Sequence, residues 1–282
     1  MRFWMLFLAV AFAAGCSKKP LEVQVMTFNI RYINMGDQGA RAWVNRRDAV
    51  AALMQAQQAD FYGLQEAFRP MIDHIHERMP GYGEIGVGRE DGKEKGEYAA
   101  ILYKLDTWQV LEHGTFWLSD TPEVVASSTW GNKVTRICTW GLFEHKASSR
   151  RLCVFNAHFD HESQIARENS AKLILQRIKD RDLARPVIFV GDLNAAPGNP
   201  AIQRIVAHES ALRDVWATVH GASSSSDSGT IHSFEGHRNG ARIDYIFATP
   251  EFTPGSAMIH YDQREGNYPS DHYPVSARLQ MP

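Results

Sequence analysis

Short apolar runs alternate with polar turns along the chain, and the spacing inside each run predicts whether it becomes a strand or a helix. Val23 to Asn29 is dense in β-branched and aromatic side chains and reads as a strand buried on both faces. Between Trp43 and Gln57, residues Trp43, Arg47, Val50, Met54 and Gln57 fall on one helical stripe with Val44 and Ala51 beside it, so a helix covering a sheet is expected. Phe61 to Glu66 predicts a second strand, followed by a short helix ending near Pro80-Gly81. Ala99 to Leu118, Val134 to Phe143 and Leu152 to His158 are apolar segments parted by polar turns, the pattern of antiparallel strands. Ala171, Ile174, Leu175 and Ile178 then recur at helical spacing between Glu162 and Asp182, and Pro186 stops that helix before the core strand Val187 to Val190. Gly221 to Gly229, with five serines, predicts a surface loop, and Ile243 to Phe247 and Val275 to Leu279 read as the closing strands. Strands and helices interspersed, with much of the strand content in hairpin order, predict an α/β layered domain and argue against a purely parallel doubly wound sheet.

Composition adds that the chain is globular: of 282 residues, 44% are apolar and 22% charged, enough for a sizeable core in one catalytic domain over residues 22–282. A net charge of −2 supplies no strong cationic field, which counts against DNA as the main substrate. Residues 1–15 read as a processing segment, because Arg2 precedes an apolar run from Phe3 to Ala14 that ends in small residues and is too short to span a membrane. Phe12-Ala13-Ala14-Gly15-Cys16-Ser17 resembles a bacterial lipobox in which Cys16 is lipidated, departing from it at Ala13, where Leu is usual. An ordinary secretory peptide cut nearby is the alternative; either reading exports the protein. Residues 16–21 form the tether, and Ser17 lacks the Asp of inner-membrane retention, so an outer-membrane or periplasm-facing lipoprotein is expected. Cys138 and Cys153 lie in adjacent apolar segments, where an oxidising compartment permits a bridge, while burial as two small hydrophobic thiols is the reading preferred over it. Nothing in the pattern speaks to oligomeric state.

Candidate chemistry sits where apolar strands end: Asn29, Glu66, His158, Asp192 with Asn194, Asp244, and Asp271 with His272. Each alone is a turn former, a helix cap or an ordinary histidine. Gathered at one sheet edge, such oxygen-rich groups can bind a hard cation and leave room for phosphate. A phosphoester resists hydrolysis because its charge repels an anionic nucleophile and its leaving oxygen must take up charge; a cation and histidine donors address both.

In order along the chain, Phe28-Asn29-Ile30-Arg31, Leu64-Gln65-Glu66, Asn156-Ala157-His158, Gly191-Asp192-Leu193-Asn194, Arg242-Ile243-Asp244-Tyr245 and Ser270-Asp271-His272-Tyr273-Pro274 resemble the endonuclease/exonuclease/phosphatase superfamily. The resemblance implies the DNase I-like fold, a four-layer α/β/β/α sandwich of two packed mixed β-sheets flanked by helices. It also implies a metal-dependent phosphoester hydrolase using Mg²⁺ or Mn²⁺, held by Glu66 with Asn29 and Asp271. By the same resemblance Asp192 activates water with help from Asn194, Asp244 orients His272, and Glu97 orients His158, the second phosphate-facing histidine. Arg31 and Arg136 are further candidates for substrate contact, since a guanidinium can grip two phosphate oxygens. Within this reading a phosphatase or phosphodiesterase acting on a small, lipid-derived or sugar phosphate comes first, a secreted or surface nuclease second, and a catalytically silent phosphate-binding module third. The only adjacent arginine pairs that could serve a nuclease are Arg46-Arg47 and Arg150-Arg151.

Overall fold

The structure is a computed structural model and describes residues 19–181, 186–221, 227–263 and 266–282; the expected signal peptide and Cys16 lie outside the described residues. The first half of the chain contains β1 (Leu21–Asn29), α1 (Trp43–Gln57), β2 (Phe61–Ala67), α2 (Arg69–Arg78), β3 (Tyr82–Ile85), β4 (Tyr98–Lys104), β5 (Trp108–Trp117) and β6 (Ile137–His145). The second half continues with β7 (Arg151–His158), α3 (Gln164–Asp180), β8 (Val187–Asp192), α4 (Pro200–Ile205), β9 (Arg213–Asp214), α5 (Val215–His220), β10 (Asp244–Ala248), β11 (Thr253–Ile259) and β12 (Val275–Met281).

Twelve strands form two six-stranded sheets, ordered β11-β12-β1-β2-β4-β3 and β5-β6-β7-β8-β10-β9. Both are mixed, with one parallel pair each, β1 with β2 and β7 with β8. The alternation of side chains along each strand divides the core into three apolar layers. Val23, Val25, Phe61, Val154, Ile188, Val190, Ile246 and Leu279 meet between the sheets. Met26, Phe28, Tyr62 and Leu64 face outward against Val50 and Met54 of α1 and Met71, Ile72 and Ile75 of α2. Phe155, Phe189, Tyr245 and Phe247 do the same against Ala171 and Ile174 of α3 and Ile202 and Ile205 of α4. The result is the expected helix–sheet–sheet–helix sandwich.

The inner face changes character along its length. In β7 its positions run Leu152, Val154, Asn156, His158; in β1, Val23, Val25, Thr27, Asn29; in β8, Ile188, Val190, Asp192. Asn156 is the hinge of this change. Its amide donates to the carbonyls of Leu64 and Ala100 at 2.9 and 2.8 Å and accepts from Gln65 Nε2 at 2.7 Å, tying one sheet to the other. Gly63 makes room for it: a Cβ there would stand 3.0 Å from Asn156 Cγ and 2.4 Å from Val190 Cγ2.

One local expectation needs correction, and the structure adds two points that the sequence left open. The buried arginine of α1 is Arg46, not Arg47, and Val44 is 61% exposed, so the true stripe is Arg46, Val50, Leu53 and Met54. The sequence pattern left β3, β9, α4, α5 and β11 unassigned; each is short or, like β11, alternates with exposed Thr253 and Met258. No bridge joins Cys138 and Cys153: Cys138 pairs with Ala157 and Cys153 with Leu142, an offset of about 13 Å along the strands, well beyond disulfide reach. Of the serine-rich loop, residues 222–226 lie outside the described residues.

Candidate active site

All the polar strand ends lie at one pole. β1, β2, β7 and β8 end there, while β4, β10 and β12 begin there. Glu66 would face outward by simple alternation, yet a register shift between Leu64 and Ala67 and a left-handed backbone at Glu66 (φ 60°) turn it into the site. Arg31 (φ 54°) and Asn194 (φ 46°) are likewise left-handed, just past β1 and β8. Non-glycine residues held in this region mark places where neighbouring structure overrides local preference. One such constraint is Arg46, whose buried guanidinium donates to the carbonyls of Ile30, Arg31 and Pro269. Ser270 Oγ adds a bond to the Asn29 carbonyl at 2.7 Å, so the loop carrying Asp271 and His272 is pinned to the end of β1.

Between these strand ends lies a cavity of about 470 Å³ lined by Arg31, Glu66, Arg89, Glu97, Arg136, His158, Asp192, Asn194, Asp271 and His272, among others. Asn29 and Asp244 stand behind it. Asn29 Nδ2 donates to Glu66 Oε1 at 3.0 Å and to Asp192 Oδ2 at 2.9 Å, so one amide links two carboxylates. His272 Nδ1 lies 2.9 Å from Asp244 Oδ2, and the backbone N–H groups of Ile243 and Asp244 both donate to Thr230 Oγ1, which fixes the carboxylate's backbone. His158 Nε2 lies 3.1 Å from Asn194 Nδ2 and 3.5 Å from Asp192 Oδ2. For His158 Nε2 to accept from that amide, the proton must sit on Nδ1.

The two histidines are held in opposite states. Burial lowers the pKa of His158, and the charges of Arg136 and Arg89 lower it further, keeping the ring neutral. Burial also opposes charge on His272, but Asp244 and Asp192 outweigh it and hold its pKa well above the ordinary imidazole value. Burial, followed by the charge of Asp244, raises Asp192 above the usual carboxylate range. Burial raises Asp271 as well, partly offset by His272 and reinforced by Glu66.

The structure gathers every sequence-selected site residue of the folded domain at this pole, with changed emphasis for three. Glu97 is 3.8 Å from His158 Nδ1 and makes no hydrogen bond to it; its Oε2 instead accepts from Arg89 at 2.7 Å. Arg31 is already engaged, bidentate to Asp37 and 3.4 Å from Asp271, whereas buried Arg136 leaves its Nε without a hydrogen-bond partner among the described residues. Arg136 also has its Nη2 2.9 Å from His161 Nδ1 and its Nε 3.9 Å from Asp160, so both guanidiniums remain candidates for anion contact. Asn29 orients two carboxylates through its Nδ2, and its amide oxygen accepts from the Arg31 N–H at 3.0 Å, which leaves that oxygen one further lone pair. Sequence reasoning missed Arg89, Tyr32 and His161, which also line the cavity. Arg89 lies in the polar stretch before β4, where nothing distinguishes it from a solvated charge.

A divalent cation fits this donor set. Burial and then the charge of Glu66 raise the pKa of Asp271, and a cation between the two carboxylates would relieve that repulsion. Asp192, Asp244 and His272 also lie within 4.8 Å of one another. Their atoms are committed, however: His272 to Asp244, and Asp192 to Asn29 and to the Asn194 N–H. That cluster is read as a histidine with its carboxylates.

Two sheets with polar strand ends converging on one ligand-sized cavity define a phosphoesterase-like sandwich. The chain belongs to the Endonuclease/Exonuclease/phosphatase family, which it matches over residues 26–272. A family protein from Bacteroides thetaiotaomicron is 33% identical, with a TM-score of 0.87 over 94% of this chain and 99% of that one. The mannosyl-6-phosphatase of the same organism is 34% identical, with a TM-score of 0.84 over 91% of this chain and 99% of that one. The uncharacterized protein L388 of Acanthamoeba polyphaga mimivirus is 27% identical over 161 residues, which is 54% of this chain and 59% of the viral protein.

Proposed function

We propose that the protein is a divalent-cation-dependent phosphatase of the cell envelope that hydrolyses a small phosphorylated sugar. The observation that carries the reading is the convergence of cationic His272, neutral His158 and buried Asp192 on one cavity together with Glu66 and Asp271. Mg²⁺ or Mn²⁺ held by Glu66 and Asp271 would supply positive charge to a phosphoryl oxygen. The remaining chemistry belongs to side chains. Arg136 and His272 donate to the other phosphoryl oxygens and bind the developing charge. Asp192, whose proton affinity is raised by burial, takes a proton from the attacking water, and Asn194 holds that water in line.

The likeness to a mannosyl-6-phosphatase along almost the whole chain favours a sugar phosphate. Two observations weigh against a nuclease. Arg46 is buried against backbone carbonyls, and Arg150-Arg151 lie at the start of β7, at the far pole from the cavity. Neither arginine pair can track a polynucleotide into the site.

The test is hydrolysis by the full chain of sugar phosphomonoesters, phosphodiester lipids and DNA, with Mg²⁺, Mn²⁺ or EDTA and with Glu66→Ala as control. Cleavage of the monoesters that needs both cation and Glu66 is expected. Preferential cleavage of DNA would overturn the substrate assignment, and turnover unaffected by EDTA would overturn the metal.

A further inference from the structure

The direction of β1 fixes how the site sits relative to an N-terminal anchor. β1 runs from Leu21 to Asn29, and Asn29 bonds two carboxylates of the cavity, so Leu21 marks the opposite pole. The same pole holds the end of β12, paired Leu21 to Met281, the end of β4 and the turn between β6 and β7. At roughly 3.3 Å per residue the strand separates the two poles by about 26 Å. The chain from Cys16 to Leu21 reaches at most about 18 Å when fully extended. β1 is also an interior strand, flanked by β12 and β2, so the attachment point lies well inside that pole and not at its rim.

We infer that, in the protein lipidated at Cys16, the cavity mouth faces away from the anchoring bilayer, and that the substrate is a water-soluble phosphoester rather than a headgroup of that membrane. This rests on the phosphatase reading for the identity of the site. The tether is shorter than the domain it would have to pass, so the domain can lean on the membrane but cannot turn its mouth onto it. A phosphate fixed to a lipid of the same leaflet is out of reach; one diffusing in the aqueous compartment is not. The inference selects the soluble sugar phosphate over the lipid-derived phosphate, which the chemistry of the cavity alone does not do.

Exposed Glu94, in the turn before β4, stands at the cavity pole, and exposed Ala147, between β6 and β7, at the anchor pole. Full-length Glu94→Cys and Ala147→Cys proteins, each labelled with a donor fluorophore and reconstituted in phosphatidylcholine vesicles with acceptor-labelled headgroups, report both distances. Cys138 and Cys153 are buried and shielded from label. Strong energy transfer from position 147 and weak transfer from 94 is the expected result. Equal transfer, stronger transfer from 94, or failure of the chain to stay with the vesicles while Cys16→Ser behaves identically would overturn the inference. Because this readout needs no turnover, its failure is separable from failure of the phosphatase reading. As a second arm, the anchored enzyme is given mannose 6-phosphate in solution or phosphatidic acid in the same vesicles. Cleavage confined to the soluble ester, with a 20-residue Gly/Ser insertion after Pro20 permitting cleavage of the lipid, supports the orientation; equal cleavage of both by the native tether contradicts it.

Discussion

Asp244 lines no part of the cavity, yet the charge state of His272 depends on it. Its Oδ2 lies 2.9 Å from the ring, and its charge is the first influence that overcomes the effect of burial on that histidine. Asp244→Asn keeps the shape while removing the charge. Turnover is expected to fall by about 10²–10⁴-fold, the range over which a positioned proton donor contributes, with KM changed far less and the far-UV circular dichroism unchanged. Wild-type kcat in Asp244→Asn would remove His272 from the chemistry. Asp244 and His272 were both visible in the sequence as polar residues flanking apolar runs. Their pairing was not, because it joins residues from separate strands, and the family resemblance supplied it. Arg89 was illegible for a different reason: its importance lies in holding Glu97 at 2.7 Å, a contact that no spacing rule predicts between two charges in a loop.

At the scale of the element, the strands were legible wherever they were buried on both faces. Val23 to Asn29, Phe61 to Glu66 and Val187 to Val190 each carry apolar side chains inward and outward, so their density alone gave them away. The helix α1 was placed correctly, with Val50 and Met54 on its buried face, but Arg46 takes the place expected for Arg47, because Arg46 spends its charge on backbone carbonyls and behaves as a core residue. Asn156 is where an inner row passes from apolar to polar, and it holds the sheets together at that height. Asn156→Leu leaves the carbonyls of Leu64 and Ala100 without their donor in a dry interior, a loss of about 2–4 kcal/mol. Urea unfolding measures it, and a change below about 1 kcal/mol would show that the seam is held elsewhere. The edge strand β3 is held to α2 by Glu84, which accepts from Arg69 and lies 2.6 Å from His76 Nε2. Burial opposes the charge on Glu84, but these partners prevail and depress its pKa to about 2. A depressed carboxylate contributes stability above its unfolded pKa and loses it as pH falls through the folded one. The stability advantage of wild type over Arg69→Ala should therefore be full at pH 6 and shrink steadily from about pH 4.5 towards pH 2. An advantage that stays constant over that window in chemical denaturation would deny Glu84 this role.

For the whole molecule, the layered architecture followed from the order of strands and helices together with the resemblance, whereas the assignment of strands to sheets had no signature in the pattern. That assignment is unequal in an instructive way. One sheet, β5 to β10, is drawn from a continuous central stretch, Trp108 to Ala248; the other joins β1 to β4 with β11 and β12 from opposite ends of the sequence. Order of emergence therefore matters when the chain is made. The continuous sheet can assemble as soon as β10 has appeared, but β1 keeps one hydrogen-bonding edge bare until β12, the last of the twelve described strands in chain order, arrives to cover it. Through that interval the early strands offer a template to any neighbouring extended chain. A polypeptide stopped at Pro274 should remain protease-sensitive and prone to aggregate, while the complete chain resists digestion; equal resistance would mean that β1 finds cover before its partner exists. A chaperone that shields nascent chains would act on β1 until residue 275 is free, which makes β12 the timer of maturation.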